Sequence, residues 1–244
     1  QMQHPPKVPG TASQARRKTK PIRPQVKKAS ARHKQLGTTI ARQHAGARRI
    51  LSREDPPFGV AFLGSARTKP GQVYYDKNIE AAAAVAALGY PIVHGGGPGQ
   101  MEASARGARR VKNALSIALG LRLTRVEQVS AEHDISIWFD DFSPRIDTFR
   151  HLGRVAMVFF PGGIGSLHES MSVIDNIMQK KAPPRTIIFF EPEPEKPYWT
   201  GFFAWLKDTV MARGMLKEEE ISFVQIAHST EELVKIIKTS AGAK

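Results

Sequence analysis

The run Pro161-Gly162-Gly163-Ile164-Gly165-Ser166-Leu167-His168-Glu169 holds the residue types most able to do chemistry in this chain. A glycine-rich turn entering a helix presents backbone N–H groups at the positive end of the helix dipole, a setting that suits a phosphate. Glu169 lies roughly 200° around that helix from Leu167. It is therefore off the apolar stripe that Leu167, Met171, Ile174 and Met178 make at helical spacing. A carboxylate beside a phosphate cradle suits a reaction on a phosphorylated substrate. The same residues fit a second reading, because Ser166 and Glu169 have the Ser-x-x-Glu spacing of a capping box, which satisfies orphan N–H groups at any helix start. On this run alone both readings stay open.

Two further runs follow apolar strands: Phe62-Leu63-Gly64-Ser65-Ala66-Arg67 and Ile92-Val93-His94-Gly95-Gly96-Gly97-Pro98-Gly99-Gln100-Met101-Glu102. The second is not a dinucleotide fingerprint, which needs G-x-G-x-x-G on the first strand and an acid about 20 residues later. It is not a P-loop either, since no Gly-Lys-Ser/Thr follows. Three consecutive glycines let backbone approach a ligand closely, and they also fit a turn needed only for packing. His94, His151 and His168 form no ligand motif, so no metal is expected. The absence of cysteine excludes disulfides, thiolate catalysis and Cys-ligated metal.

The elements that must position these residues are readable from Pro56 onward. Strands are expected at Gly59–Leu63, Pro91–His94, Leu115–Leu119, Ile135–Phe139, Val155–Phe160, Thr186–Phe190 and Phe223–Ala227. Helices are expected at Tyr75–Leu88, Gln100–Val111, Pro144–Gly153, Ser166–Gln179, Trp199–Arg213 and Glu231–Lys238, the last led by Ser229 and Glu232 at capping-box spacing. Near-continuous apolar strands separated by helices predict an α/β fold: a doubly wound, mostly parallel sheet of about seven strands with helices on both faces. Ligands in such sheets sit at the carboxyl ends of strands near a topological switch point. All three glycine-rich runs lie at such ends. The aromatic group Tyr198, Trp199, Phe202, Phe203 and Trp205 reads as core and interface packing and not as a base-stacking site.

Charge divides the chain. Of the 244 residues, the first 53 hold 14 Lys and Arg and no acid; the other 22 Lys and Arg face 22 Asp and Glu, so the whole +14 belongs to the N-terminal segment. With Pro5, Pro6, Pro9, Pro21 and Pro24 and few large apolar residues, that segment cannot bury enough surface to fold alone. Residues 1–55 are therefore expected to be a basic, disordered extension, and residues 56–244 the folded α/β domain that carries the three glycine-rich runs. A weak helical pattern at Leu36, Ile40, Ala47, Ile50 and Leu51 predicts that the last part of the extension docks on the body. The extension reads as a solvated terminus, as a polyanion contact through residues 1–53, or as a targeting segment. Many prolines and few serines speak against targeting, and the lack of interleaved aromatic residues speaks against base stacking. No apolar run approaches membrane-spanning length, and no signal-peptide core is visible, so a cytoplasmic location is expected.

The paired motifs Gly95-Gly96-Gly97-Pro98-Gly99-Gln100-Met101-Glu102 and Pro161-Gly162-Gly163-Ile164-Gly165-Ser166-Leu167-His168-Glu169 resemble those of the LONELY GUY (LOG) family. That family includes cytokinin-riboside-monophosphate phosphoribohydrolases and bacterial nucleotide 5′-monophosphate nucleosidases. It also shows an Arg between the two motifs, and Phe142-Ser143-Pro144-Arg145-Ile146-Asp147-Thr148-Phe149 fits that place. The resemblance covers about residues 58–240 and leaves the basic extension unexplained.

The resemblance implies a Rossmann-like fold and hydrolysis of the N-glycosidic bond of a nucleoside 5′-monophosphate, purine, pyrimidine or cytokinin, to free base and ribose 5-phosphate. It implies Glu169 and Arg145 as catalytic residues. Gly64, Ser65, Gly95, Gly96, Gly97, Gly99, Met101, Glu102, Gly162, Gly163, Gly165 and Ser166 would bind the phosphate or nucleotide. No cofactor is implied, and a homodimer or higher homo-oligomer is. Glu169 would stabilise positive charge on the ribose or orient water. Arg145 would position phosphate or base and lower the Glu169 pKa.

The chain also departs from the family pattern. Ser166 stands where Thr is usual, His168 where an acid is frequent, and Ile146 where Lys is usual. Arg150 is an alternative to Arg145, because the spacing to Pro161 is one residue longer than expected. A second family with the same motifs, the molybdenum-cofactor carriers, binds a phosphorylated pterin without cleaving it. A non-catalytic carrier is therefore the alternative.

Overall fold

A computed structural model describes residues 41–42, 44–49, 51–122 and 133–242; the expectations for residues 1–40 lie outside them. Seven strands form one sheet: β1 Val60–Leu63, β2 Ile92–His94, β3 Ser116–Leu121, β4 Ile135–Phe139, β5 Ala156–Phe159, β6 Thr186–Phe190 and β7 Val224–Ala227. Their order is β4-β3-β2-β1-β5-β6-β7, and every neighbouring pair is parallel. β1, β2, β3 and β5 are buried along their whole length, as strands covered on both faces must be. The fold is the Rossmann-like α/β sheet that the apolar runs predict.

Side chains alternate across this sheet. Ala61, Leu63, Val93, Leu119, Met157 and Phe159 enter one apolar layer with Ile146, Phe149 and Leu152 of α3 (Phe142–Leu152) and Val173, Ile174 and Ile177 of α4 (Ile164–Met178). Val60, Phe62, Ile92, Val158 and Ile188 enter the other layer. There they meet α1 (Val73–Ala86), Ala108 of α2 (Gln100–Arg109), and Leu233 and Ile237 of α6 (Thr230–Gly242). Residues 41–42, 44–49 and 51–54 are helical. Ala47 is buried in the first layer and Leu51 packs against it, as the pattern there predicts.

Three local expectations are corrected. Helix α4 begins at Ile164 with Gly163 as its N-cap, so Ser166 lies within the first turn and makes no capping bond. The capping-box reading of Ser166 and Glu169 therefore fails. Its buried stripe is Ser166, Glu169, Ser170, Val173, Ile174 and Ile177, rotated from the expected one, with Leu167, Met171 and Met178 only partly buried. Helix α3 starts two residues before Pro144, because the carboxylate of Asp141 accepts the Ser143 N–H at 3.1 Å and caps it. The helix expected over Trp199–Arg213 is α-helical only from Thr200 to Trp205 (α5). It then widens to a π-turn over Leu206–Val210, tightens to a 3-10 turn, and ends at the left-handed Gly214.

Candidate active site

Strands β1 to β4 run outward in one direction from β1, and β5 to β7 in the other. The order reverses between β1 and β5, and the crevice beyond their carboxyl ends is where such sheets take ligands. A cavity of about 730 Å³ opens there, within the size range of small-molecule sites. Two backbone bonds fix its floor: Phe160 N–H to the Leu63 carbonyl (2.8 Å) and Ser65 N–H to the Pro161 carbonyl (3.2 Å).

The cavity brings together most residues that the sequence singled out. Gly64, Ser65, Gly95, Met101, Arg145, Gly162, Gly163, Gly165, Ser166 and Glu169 all line it. Gly96, Gly97, Gly99 and Glu102 do not. Gly96 turns inward, its N–H donating to His94 Nδ1 at 3.2 Å. Gly99 (φ +70°) is the N-cap of α2 and packs against the backbone of Ser65 and Ala66, too close for any side chain. Glu102 pairs along α2 with Arg106 at 2.7 Å.

The N-terminus of α4 is one side of the cavity. The N–H groups of Gly163, Ile164, Gly165 and Ser166 have no acceptor among the described residues, and the Ser166 hydroxyl has none either. Four unpaired N–H groups at a helix start are a setting that suits an anion. Gly162 contributes by its bareness, since a side chain there would run into Ser166.

Arg145 and Glu169 form the charged wall. Arg145 Nη1 donates to Glu169 Oε1 at 2.7 Å, joining α3 to α4, and both residues are buried, 6 % and 8 % exposed. Nε of the same guanidinium donates to the Leu119 carbonyl at 2.7 Å, and its Cζ lies 5.0 Å over the Phe149 ring. These contacts hold the fork in one plane. Burial pushes the Glu169 carboxyl above its ordinary value, and the Arg145 charge and hydrogen bond oppose that only in part. The expected net lowering by Arg145 is thus corrected: desolvation wins. Arg150 does not share this place. It pairs with Asp147 on α3 and lies outside the cavity lining. Ile146 is part of the core, and His168 is exposed, its ring edge-on to Phe142 at 6.3 Å.

Behind the triple-glycine turn lies His94, fully buried. Since its Nδ1 accepts from Gly96, Nε2 carries the proton and donates to Ser116 Oγ at 2.9 Å. Burial above all, with the His133 and Arg145 charges, pulls its pKa down to about 3.

Tyr74 and Tyr198 are lining residues that sequence reasoning missed as site residues. Their rings meet edge-on at 6.5 Å. Tyr198 is 46 % exposed, unlike buried Trp199, and its hydroxyl donates to the Gly162 carbonyl at 2.7 Å. Tyr74 donates to the Lys196 carbonyl at 3.3 Å, and burial, with Glu193 and Glu191, pushes its phenol up to about 12. Buried Glu191, at the end of β6, anchors the same segment by accepting from Trp199 N–H, Thr200 N–H (2.9 Å) and the Thr200 hydroxyl (2.6 Å). The only sequence signal for this strap is its Tyr-Trp-Thr run after a charged, proline-rich turn.

A family described as possible lysine decarboxylase matches residues 101–237. The chain belongs to this family, the LOG family. Both the Arg145–Glu169 pair and the α4 turn fall within the matched stretch. No curated protein matches the LOG-family chain in sequence. Among solved structures, the molybdenum cofactor binding protein of the phototrophic bacterium Rippkaea orientalis is similar with a TM-score of 0.52 at 20 % identity, over 75 % of this chain and 96 % of that one. The molybdenum cofactor carrier protein of Chlamydomonas reinhardtii gives 0.54 at 17 % identity, over 77 % and 99 %. The protein TM1055 gives 0.53 at 18 %, over 75 % and 98 %. At these identities the likeness shows a shared fold for the LOG-family chain. Among the described residues no helix is long and apolar enough to cross a membrane.

Proposed function

We propose that this LOG-family chain hydrolyses the N-glycosidic bond of a nucleoside 5′-monophosphate, releasing free base and ribose 5-phosphate. The observation that carries this reading is the buried Arg145–Glu169 pair (2.7 Å), which lines the same cavity as four unpaired N–H groups. The α4 turn and the Ser166 hydroxyl take the 5′-phosphate, which places the ribose beside Glu169. As the C1′–N bond lengthens, the ring gains positive charge and the ionised Glu169 stabilises it. Water adds to C1′, the base leaves with the bonding electron pair, and the proton lost by the water balances the one gained by the base. Arg145 keeps Glu169 oriented and offers its remaining edge to the phosphate or the base. Residues 56–244 are the working domain in this reading, with a homodimer or higher homo-oligomer as the working unit.

Incubation with AMP, GMP, CMP, UMP and isopentenyl-AMP, with detection of free base and ribose 5-phosphate, tests the proposal. Release from at least one substrate is expected, reduced about 100-fold or more in Glu169→Gln. Equal release by wild type and variant would overturn the catalytic assignment. The second reading, a carrier that holds a phosphorylated cofactor without cleaving it, draws on the two molybdenum-cofactor proteins of like fold, which this chain covers almost completely. Retention of a buried carboxylate on the cavity wall favours the enzyme. A pterin-like ligand carried through purification, seen by absorbance and mass spectrometry, together with no base release, would favour the carrier.

A further inference from the structure

The helical residues 41–42, 44–49 and 51–54 play no part in the cavity, and their two faces differ sharply. Ala47 is buried in the core and Leu51 packs against it. Arg42, Arg48 and Arg49 are exposed, and none has an ion-pair partner among the described residues. At about 100° per residue, Arg42 and Arg49 fall within roughly 20° of one line, about 10 Å apart along the axis and roughly 150° from Ala47. Arg48 lies about 100° around the axis from Arg49, on the side of the helix between that line and Ala47. Arg53 continues it but is engaged with Glu54, Nε to Oε1 at 2.7 Å. Glu54 is the first acid of the chain, so no carboxylate precedes the stripe to neutralise it. Four residues past the helix, the exposed Arg154 guanidinium lies 4.8 Å over the Phe58 ring, which keeps a further cation near the helix end.

We propose that this stripe is a docking surface for nucleic acid, held through the phosphate backbone without reading the bases. Two observations set the partner. An interfacial membrane helix needs a free apolar face to sink into lipid, and here Ala47 and Leu51 of that face are packed against the protein core. Base stacking on single strands needs aromatic side chains, and residues 1–53 contain no Phe, Tyr or Trp. Arg42 and Arg49, in line and without an ion-pair partner among the described residues, and Arg48 beside them are left to meet phosphates, with affinity gained by counterion release.

The test uses the full chain and a 20-base-pair duplex DNA of random sequence, with the matching RNA duplex as a second arm. Binding is followed by fluorescence anisotropy from low to high salt. The Arg42→Ala/Arg48→Ala/Arg49→Ala variant should lower the slope of log K against log salt by about 2–3, and weaken binding about 10-fold or more at 0.1 M salt. The corresponding triple Arg→Lys variant should keep the slope. A charge-matched control, Lys180→Ala/Lys181→Ala/Lys235→Ala, should leave binding unchanged. The proposal is overturned if the arginine and control variants weaken binding equally. It is also overturned if wild type binds vesicles with 30 % anionic phospholipid and not the duplexes.

Discussion

A Cβ built on Gly95 would stand 2.5 Å from Arg145 Nη2 and would also meet the Met101 side chain, so the bare Cα of Gly95 is what lets the guanidinium reach the cavity wall. The triple-glycine turn and the arginine of α3 are thus one device. Gly95→Ala is expected to push Arg145 out of line with Glu169, cutting base release at least about 10-fold, and to destabilise the fold by about 1–3 kcal/mol through overpacking. Steady-state kinetics and urea denaturation check both. Gly163→Ala, where a Cβ meets nothing within 4 Å, is the matched control and should change stability little.

Removing Arg145 leaves a buried carboxylate without its partner, and breaking a buried pair in this way costs about 3–5 kcal/mol. Arg145→Ala should show that loss in chemical denaturation, and the double variant Arg145→Ala/Glu169→Gln should recover part of it. Arg145→Lys keeps the charge but not the fork that also bonds the Leu119 carbonyl. It should retain more stability than alanine and still lose activity.

Because burial raises the Glu169 carboxyl above its ordinary 4.5, the acid limb of kcat should be displaced upward from that value and be absent from the residual activity of Glu169→Gln. The stability sign follows from the same shift. A carboxyl whose folded pKa is raised contributes stability that is present below the unfolded value and is lost as pH rises through the folded one. The stability of wild type relative to Glu169→Gln should therefore decline as pH rises across that window.

The legible and the illegible parts of this chain divide on physical grounds. Strands such as Ile135–Phe139 and Thr186–Phe190 were readable to the residue, because each is a dense run of β-branched and aromatic residues bounded by polar or charged ones. The cavity's place followed from glycine runs at strand ends. Glu169 was findable as a carboxylate off the apolar stripe, but not its burial, because Arg145, which packs on it, comes from another element. Position 146 shows the opposite limit: it looked like a lost cation in the site, whereas α3 turns it into the apolar layer that also holds Ala61 and Leu63. Tyr74 and Tyr198 stand 124 positions apart, and nothing in their spacing announces that a strap tied by Glu191 will bring their rings together.

His94 supplies a pH signature away from the chemistry. Its folded pKa, about 3, lies below the ordinary 6.5, so the unfolded chain binds a proton that the folded chain refuses. This contribution is complete above pH 6.5 and is lost as pH falls toward 3, at up to about 1.4 kcal/mol per pH unit. His94→Asn, which keeps an acceptor for the Gly96 N–H but cannot titrate, should flatten that part of the stability profile. Urea midpoints at pH 7.5, 6 and 5 for the two proteins give the comparison, and parallel profiles would remove His94 as the cause.

Tyr198 is expected to act on the anion site through one peptide. Its hydroxyl holds the Gly162 carbonyl at 2.7 Å, and in a trans peptide the following N–H points the opposite way. The bond therefore fixes the direction of the Gly163 N–H, the first of the four unpaired donors at α4. Tyr198→Phe keeps the ring in the cavity wall and removes only this restraint. A hydrogen bond of this kind contributes about 0.5–1.5 kcal/mol, so affinity for inorganic phosphate, or KM for a nucleoside monophosphate, should worsen roughly 2- to 10-fold, with kcat nearly unchanged. A fall in kcat at constant KM would instead place Tyr198 at the reacting atoms.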